Sequence, residues 1–459
     1  MMKNWAAWWA AALALALAVM PAGLRAADPA WDRPHAANPL LPGYFADPTI
    51  VHDGRRWTIF ATADPWGGDH LAMWQSTNGR DWTWSQPAWP SKAAATSPSS
   101  GDAMVWAPSV VKGRDGRWWM YVSVGSEVWV GSAPAPGGPW ADANHGRPLI
   151  PGNFRPGFHM IDAEAFIDRD GQAWLAWGSG LNWVNGHCFV VRLAADMVHF
   201  AGPVEDVTPT HYFEAPFLLR ARDGYVLSYS AGNTTRDTYQ VRYATGPSPR
   251  GPFTEAPNSP ILQTQPGDAI ISPGHHAFFR SGGRAFILYH RQALPWRAGQ
   301  PETLRQVAVD GLEISPGPRL LVRGRWGPGV DHAGVAVPGW AAHRTTGLPW
   351  RALGGTDRAA SDDNFATLWR PSADRRLVAD LGRVRALRET WLRPEFPDRA
   401  MRVSLSTSRD GRHWRAVTGP VARNGSPIHL GRNLTARYLR LDLLDDKPMG
   451  LWEWTMLPR

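Results

Sequence analysis

Five short stretches of the chain set chemically capable side chains just ahead of a tight turn. They read Ala46-Asp47-Pro48, Trp106-Ala107-Pro108, Ile161-Asp162-Ala163, Glu214-Ala215-Pro216 and Pro273-Gly274-His275-His276. Three of them carry a carboxylate, Asp47, Asp162 or Glu214, and another carries a histidine pair. Carboxylates gathered in one desolvated place do acid–base work, one ionised to take a proton and another kept protonated to give one. Stability gives no reason to gather them, because desolvated like charges are costly. Taken singly each is a weak signal, since Asp before Pro is an ordinary turn former. The reading depends on whether the chain brings them together.

The elements that would do so repeat. Six to nine residues after each stretch stands a turn followed by an aromatic and β-branched run: Asp53-Gly54 before Trp57, Asp115-Gly116 before Trp118, Asp170-Gly171 before Trp174, Asp223-Gly224 before Tyr225, and Gly282-Gly283 before Phe286. Each is a hairpin signal. The turns recur every 53 to 62 residues, long enough for a four-stranded sheet with its loops. Helical periodicity is nearly absent, and Gly and Pro punctuate throughout. This predicts an all-β fold, a five-bladed β-propeller over residues 37–325, in which the first strand of each blade lines the axis. The five stretches then converge at one end of the channel. Glu164 alternates to the opposite face of its strand from Asp162 and reads as a surface charge. The insertion from Pro87 to Asp102, rich in Ser, Pro and Ala, is placed to close one end of a cleft.

On these residues the sequence resembles glycoside hydrolase family 43, five-bladed propeller hydrolases of arabinan, xylan and related plant polysaccharides. The likeness runs from about Asn38 to about Ile314 through Asn38-Pro-Leu-Leu-Pro-Gly-Tyr-Phe-Ala-Asp47-Pro48, Met104-Val-Trp-Ala-Pro-Ser109, Ile161-Asp162 in FHMIDAEAFIDRDGQAWLAWG, Glu214 in YFEAPFLLRARDGYVLSYSAG, and Ser272-Pro-Gly-His-His276. The resemblance implies Asp47 as general base, Glu214 as general acid and Asp162 as the group that orients the acid and raises its pKa. It implies an inverting reaction, in which acid and base stand roughly 6.5 to 9.5 Å apart to admit a water. It also implies a histidine near the channel centre, which the phrase Pro-Gly-His assigns to His275, beside a structural Ca2+ or Na+ ion; the reaction itself requires no cofactor. Arg291, Arg305, Trp106 and Trp177 are the expected sugar contacts, with Trp66 and Trp183 as further tryptophans able to stack on a sugar face. Two departures, Ala163 and Ala215 where the family has Pro and Gly, leave the carboxylates in place and bear on the substrate. The expected substrates carry α-L-arabinofuranosyl or β-D-xylosyl linkages, as in arabinan, arabinoxylan or xylo-oligosaccharides. The rivals are galactan or galactofuranosyl linkages on the same scaffold, and a propeller lectin without turnover.

The flanks complete the organisation. Residues 1–26 carry Lys3, an apolar stretch from Trp5 to Val19, a breaker at Pro21 and a small residue at Ala26, with Ala27 just after them. This is the pattern of a cleaved signal peptide, too short to anchor in a bilayer, and it predicts a secreted or periplasmic protein that does not engage the membrane. Cys188 is the single cysteine, so no disulfide forms within the chain. The net charge of +8 comes largely from scattered arginines, only Lys3, Lys92, Lys112 and Lys447 being lysines. Without a basic run it does not mark a nucleic-acid partner. After Ile314 the blade phrase stops. Over residues 330–459 the stretches Leu377–Gly382, Met401–Trp414 and Ala436–Asp442 alternate apolar with polar, as half-buried antiparallel strands do. This segment resembles a discoidin (coagulation factor type C) β-sandwich, which implies carbohydrate binding at loops on one end.

Overall fold

The computed structural model describes residues 30–264, 270–300, 302–317, 319–323, 336–345, 347–353 and 358–459. The expected signal segment lies outside them. Five antiparallel sheets follow one another, each with its first four strands in chain order. Their first strands are Phe45–His52, Val105–Lys112, Glu164–Ile167, Glu214–Arg220 and Gly274–Ser281. Blade 3 has an extra two-stranded ribbon, Phe158–His159 with Ser179–Gly180, and blade 4 a fifth strand, Leu262–Gln263. Among the described residues no helix is long and apolar enough to cross a membrane.

The repeated aromatic and β-branched runs fill the seams. Five apolar clusters each join two neighbouring blades: Phe60 and Trp129 between blades 1 and 2, Tyr121 and Trp177 between 2 and 3, Val190 and Tyr229 between 3 and 4, Tyr243 and Tyr289 between 4 and 5, and Trp74 and Phe286 between 5 and 1. With no disulfide available, this burial holds the ring.

One irregularity repeats around the axis. In blades 1, 2, 4 and 5 the pairing of the first strand with the second slips by one residue, between Ala46 and Thr49, Trp106 and Ser109, Glu214 and Phe217, and Gly274 and Ala277. In blade 3 the amide of Gly178 bonds to Ile161 before regular pairing resumes at Glu164. At each slip a non-glycine residue takes a left-handed backbone: Asp47, Ala107, Asp162, Ala215 and His275, with φ between 39° and 58°. Such bulges interrupt the alternation of a strand and re-aim its side chains. At four of the five slips the amide of that residue is caught by the preceding blade. Thr62 Oγ1 accepts from Ala107 at 2.8 Å, Ser123 Oγ from Asp162 at 3.1 Å, Ser230 Oγ from His275 at 2.9 Å, and His290 Nδ1 from Asp47 at 3.2 Å. Those four acceptors hold the same place in the second strand of their blades, sixth in WTIFAT, WWMYVS, YVLSYS and AFILYH.

The C-terminal residues form one six-stranded antiparallel sheet from Arg351 to Pro458. Its two longest strands, Arg376–Pro394 and Ile428–Leu443, pair on either side of a break between Asp380 and Arg385. Beyond the break Arg376–Pro394 also pairs with Leu451–Pro458, and the sheet encloses a core that includes Leu392, Val403, Leu441 and Trp454. The segment between propeller and sheet turns back onto the ring: Trp340 packs on Trp57, Trp82 and Phe279. Buried Arg344 donates to the carbonyls of Ala37 and Pro39 at 3.2 and 3.0 Å.

Candidate active site

The bulges turn Asp47, Asp162, Glu214 and His275 into one cavity of about 350 Å³, shared with Trp106 and Arg305. His159, Ser179, Phe213, Thr234 and the tryptophans Trp66 and Trp183 complete most of its wall. Two expected sugar contacts are not there. Trp177 is fully buried in the seam between blades 2 and 3, where strand alternation turns it away from the axis. Arg291 is buried beside Gln292, to whose carbonyl it donates at 3.2 Å, and the adjacent His290 faces the site in its place. Nor does the insertion from Pro87 to Asp102 contribute to the wall. It folds against blade 2, where Trp129 and Ser97 donate to buried Glu127 at 3.0 and 2.6 Å. Glu164, expected in solvent, is instead half-buried and electrostatically close to Ser109 and His275, with burial pushing it up to about 8.

Asp47 is held from every side. Thr62 Oγ1 donates to Oδ2 at 2.7 Å, Arg305 Nη1 donates to Oδ1 at 3.2 Å, and His275 Nδ1 lies 3.2 Å from Oδ1. Burial alone would raise its pKa, but the charges of Arg305 and His275 outweigh it and hold the carboxyl well below its usual range. Arg305 is fixed in turn by Asp64, whose two oxygens take Nη2 at 2.7 Å and Nε at 3.0 Å. The guanidinium fork is thus spent on carboxylates, and its face lies against Trp66, 4.9 Å from the ring centre. Asp64, in the Asp64-Pro65 turn, was not singled out in the sequence.

Glu214 has the opposite environment. Burial raises its pKa above the ordinary value, even though Tyr239 donates to Oε1 at 2.6 Å and Ser179 to Oε2 at 3.0 Å. Asp162 is likewise pushed up, to about 8, by burial first, with the charges of Glu214 and Asp47 adding and His275 opposing. Burial is therefore the main source of the Glu214 shift, where the sequence assigned it to an anionic Asp162. His275 stands between the carboxylates, its Nδ1 3.5 Å from Asp162 Oδ2. Burial would lower it, yet the charges of Asp162 and Asp47 raise it to about 9. The two sides of the site meet where Tyr239 stacks on His290 at 5.6 Å and 3°. Gly274 leaves room for this, since a Cβ there would lie 2.0 Å from the Tyr239 ring.

The donor set does not fit a directly ligated metal. Among the described residues no three His, Cys, Asp or Glu side chains gather to hold one, and the nitrogen that His275 turns to Asp47 and Asp162 is engaged with their charge. The sequence profile of glycosyl hydrolases family 43 matches residues 36–317, well over half of the chain. The chain belongs to glycosyl hydrolases family 43. The family hydrolyses glycosidic bonds with an inverting mechanism, and the substrates of this member are carbohydrates. The chain is 33% identical over 273 residues, covering 56% of itself and 76% of the other, to the β-D-galactofuranosidase xynD of Aspergillus niger. To the extracellular endo-α-(1→5)-L-arabinanase 1 of Bacillus subtilis it is 25% identical over 271 residues, 55% of this chain and 78% of that one. A solved structure named as a glycoside hydrolase has the same fold over 92% of this chain and 99% of its own, with a TM-score of 0.72 at 24% identity. That coverage carries the shared fold past the propeller into the C-terminal sheet.

Proposed function

We propose that this family 43 protein is an exported hydrolase of furanosyl linkages in α-L-arabino or β-D-galacto configuration. Asp47 draws the proton from water, Glu214 protonates the leaving oxygen, and Asp162 with His275 orients the acid and balances the charge of the pocket. The observation that supports these roles is the divergence of two carboxyls in one cavity: Asp47 is held ionised by Arg305 and His275, while burial raises Glu214. The choice of furanosides over xylosides leans on the match at 33% identity, which bears the name of a β-D-galactofuranosidase; at 25–26% identity both arabinanase and xylosidase names occur. The two sugars share the configuration of their five-membered rings and differ in the exocyclic chain. The discoidin-like reading of the C-terminal sheet stays a proposal drawn from its strand pattern, and none of the residues lining the cavity belongs to it.

The test is hydrolysis of 4-nitrophenyl α-L-arabinofuranoside, β-D-galactofuranoside and β-D-xyloside by the wild type, Asp47→Asn and Glu214→Gln. Each substitution removes a proton-transfer group worth about a hundred- to ten-thousand-fold. Turnover of a furanoside that falls by this much in both variants supports the proposal. Near-normal rates in either folded variant, or turnover confined to the xyloside, would sink it.

A further inference from the structure

Among the described residues seven large apolar side chains stay exposed, and three of them, Trp66, Leu181 and Trp183, line the cavity, with Met104 beside Gly67 and Val184 following Trp183 in the chain. Exposed apolar surface concentrated at one place marks a contact. Two of these side chains meet, the rings of Trp66 and Trp183 lying 6.3 Å apart at 58°. Trp66 follows the second strand of blade 1 and Trp183 that of blade 3, so their contact crosses the mouth on the side of blade 2.

Each ring is braced by the machinery beneath it. The Arg305 guanidinium that pairs with Asp47 lies against Trp66. Phe213, the residue before Glu214, stacks on Trp183 at 5.6 Å and 26°. Both tryptophans hold left-handed backbone, with φ of 58° and 63°. A bulky residue keeps that conformation only where its surroundings fix it. The loop of Trp183 is also tightly seated, since a Cβ on Gly180 would lie 1.8 Å from the Val184 carbonyl and one on Gly186 2.3 Å from that of Phe213.

We infer that the Trp66–Trp183 contact is a blind wall that makes the enzyme exo-acting, admitting one glycosyl unit at a non-reducing end and refusing the interior of a chain. The inference rests on the furanosidase reading and adds the mode of attack to it. The two indoles meet on the blade 2 side of the mouth and line the cavity, so a chain leaving the carboxylates on that side would meet them. The cavity of about 350 Å³ is at the small end of ligand sites, which suits a terminal ring with its leaving group pointing to solvent.

Two nitrophenyl glycosides test this, α-L-arabinofuranoside and its 1,5-linked arabinobioside, with the β-D-galactofuranosyl pair run beside them. A walled wild type releases monosaccharide first, and nitrophenol from the bioside only after a lag. Trp183→Ala, or Trp183→Leu if an apolar cover on Phe213 is needed for folding, releases disaccharide and nitrophenol together, at least tenfold faster than the wild type does. Direct disaccharide release by the wild type overturns the wall while leaving the furanosidase reading intact, and so does a lag that survives in a folded Trp183 variant. If neither monoglycoside is hydrolysed, the furanosidase reading falls and the wall is read by tryptophan fluorescence. Arabinotriose should then quench, and the same trisaccharide methylated at its non-reducing end should not; equal quenching overturns the wall.

Discussion

Thr62 offers the sharpest perturbation of the base. Its buried hydroxyl accepts the amide of Ala107 at 2.8 Å and donates to Asp47 Oδ2 at 2.7 Å, tying the carboxylate of blade 1 to the bulge of blade 2. Thr62→Val keeps the shape and removes both bonds. A hydrogen bond to an ionised partner contributes about 1.5–3 kcal/mol, and at 1.36 kcal/mol per pH unit its loss raises the pKa of Asp47 by about 1–2 units. The Ala107 amide, left buried without its acceptor, costs the fold about 1–3 kcal/mol more. Because the folded pKa of Asp47 is depressed, its contribution to stability is present above the unfolded value near 3.8 and is lost as pH falls through the folded value. The variant loses part of that contribution. Arg305 and His275 remain, so Asp47 stays ionised at neutral pH and the loss of rate there reflects orientation, about tenfold for each 1.4 kcal/mol of barrier. The assay is kcat/KM against pH on the nitrophenyl furanoside. The acid limb should move up by about 1–2 units in Thr62→Val and return in Thr62→Ser. A limb in Thr62→Val that coincides with the wild type, in a protein shown to be folded, refutes the account.

Four further outcomes are expected. Arg305→Met strands Asp47 and Asp64 without their shared cation, so it should cost about 3–5 kcal/mol in urea unfolding and abolish turnover. His275 carries a folded pKa near 9 against an ordinary 6.5, so it stabilises fully below pH 6.5 and less as pH rises through 9; stability measured over that window should be flatter in His275→Gln. Trp106→Ala should raise KM, whereas Trp177→Phe, changed in the seam, should lower the melting temperature and leave KM alone. Arg344→Met removes charged hydrogen bonds to Ala37 and Pro39 and should destabilise by at least about 2 kcal/mol, with rates unchanged in the cold.

The blade count and the carboxylates were legible because turn, strand and aromatic recur in fixed order, and only a closed ring satisfies five such sheets. The bulge was not, because a left-handed Asp, Ala or His has no signature in residue type. Strict alternation puts residues two apart on one face, so the solvent reading of Glu164, two residues from Asp162, did not follow from the strand period, and its side chain is half-buried near His275. Arg291 and Trp177 fail for a related reason. Arg291 stands one residue from His290, which touches Asp47, and a step of one along a strand reverses the face; Trp177 stands two residues from Ser179 of the cavity wall, but Gly178 between them, at φ 125°, interrupts the alternation. The role of Arg305 was half-visible: an arginine near the site could be read, but the carboxylates that consume its fork are Asp64 and Asp47, remote in sequence. The Trp66–Trp183 contact joins two loops that no local pattern relates.

The partners that ionise Asp47 also set the order in which the chain can become an enzyme. Asp47 belongs to the first blade, and His275, His290 and Arg305 all belong to the last. No strand is exchanged between these blades; beside the apolar cluster of Trp74 and Phe286, the seam closes through Asn38, which exchanges hydrogen bonds with Val309 at 3.0 Å, and through those side chains. A growing chain that has made four blades therefore carries an ordinary, hydrated aspartate and no base. Chemistry begins when the fifth blade arrives, so the acid limb of the rate profile reports whether the ring is shut.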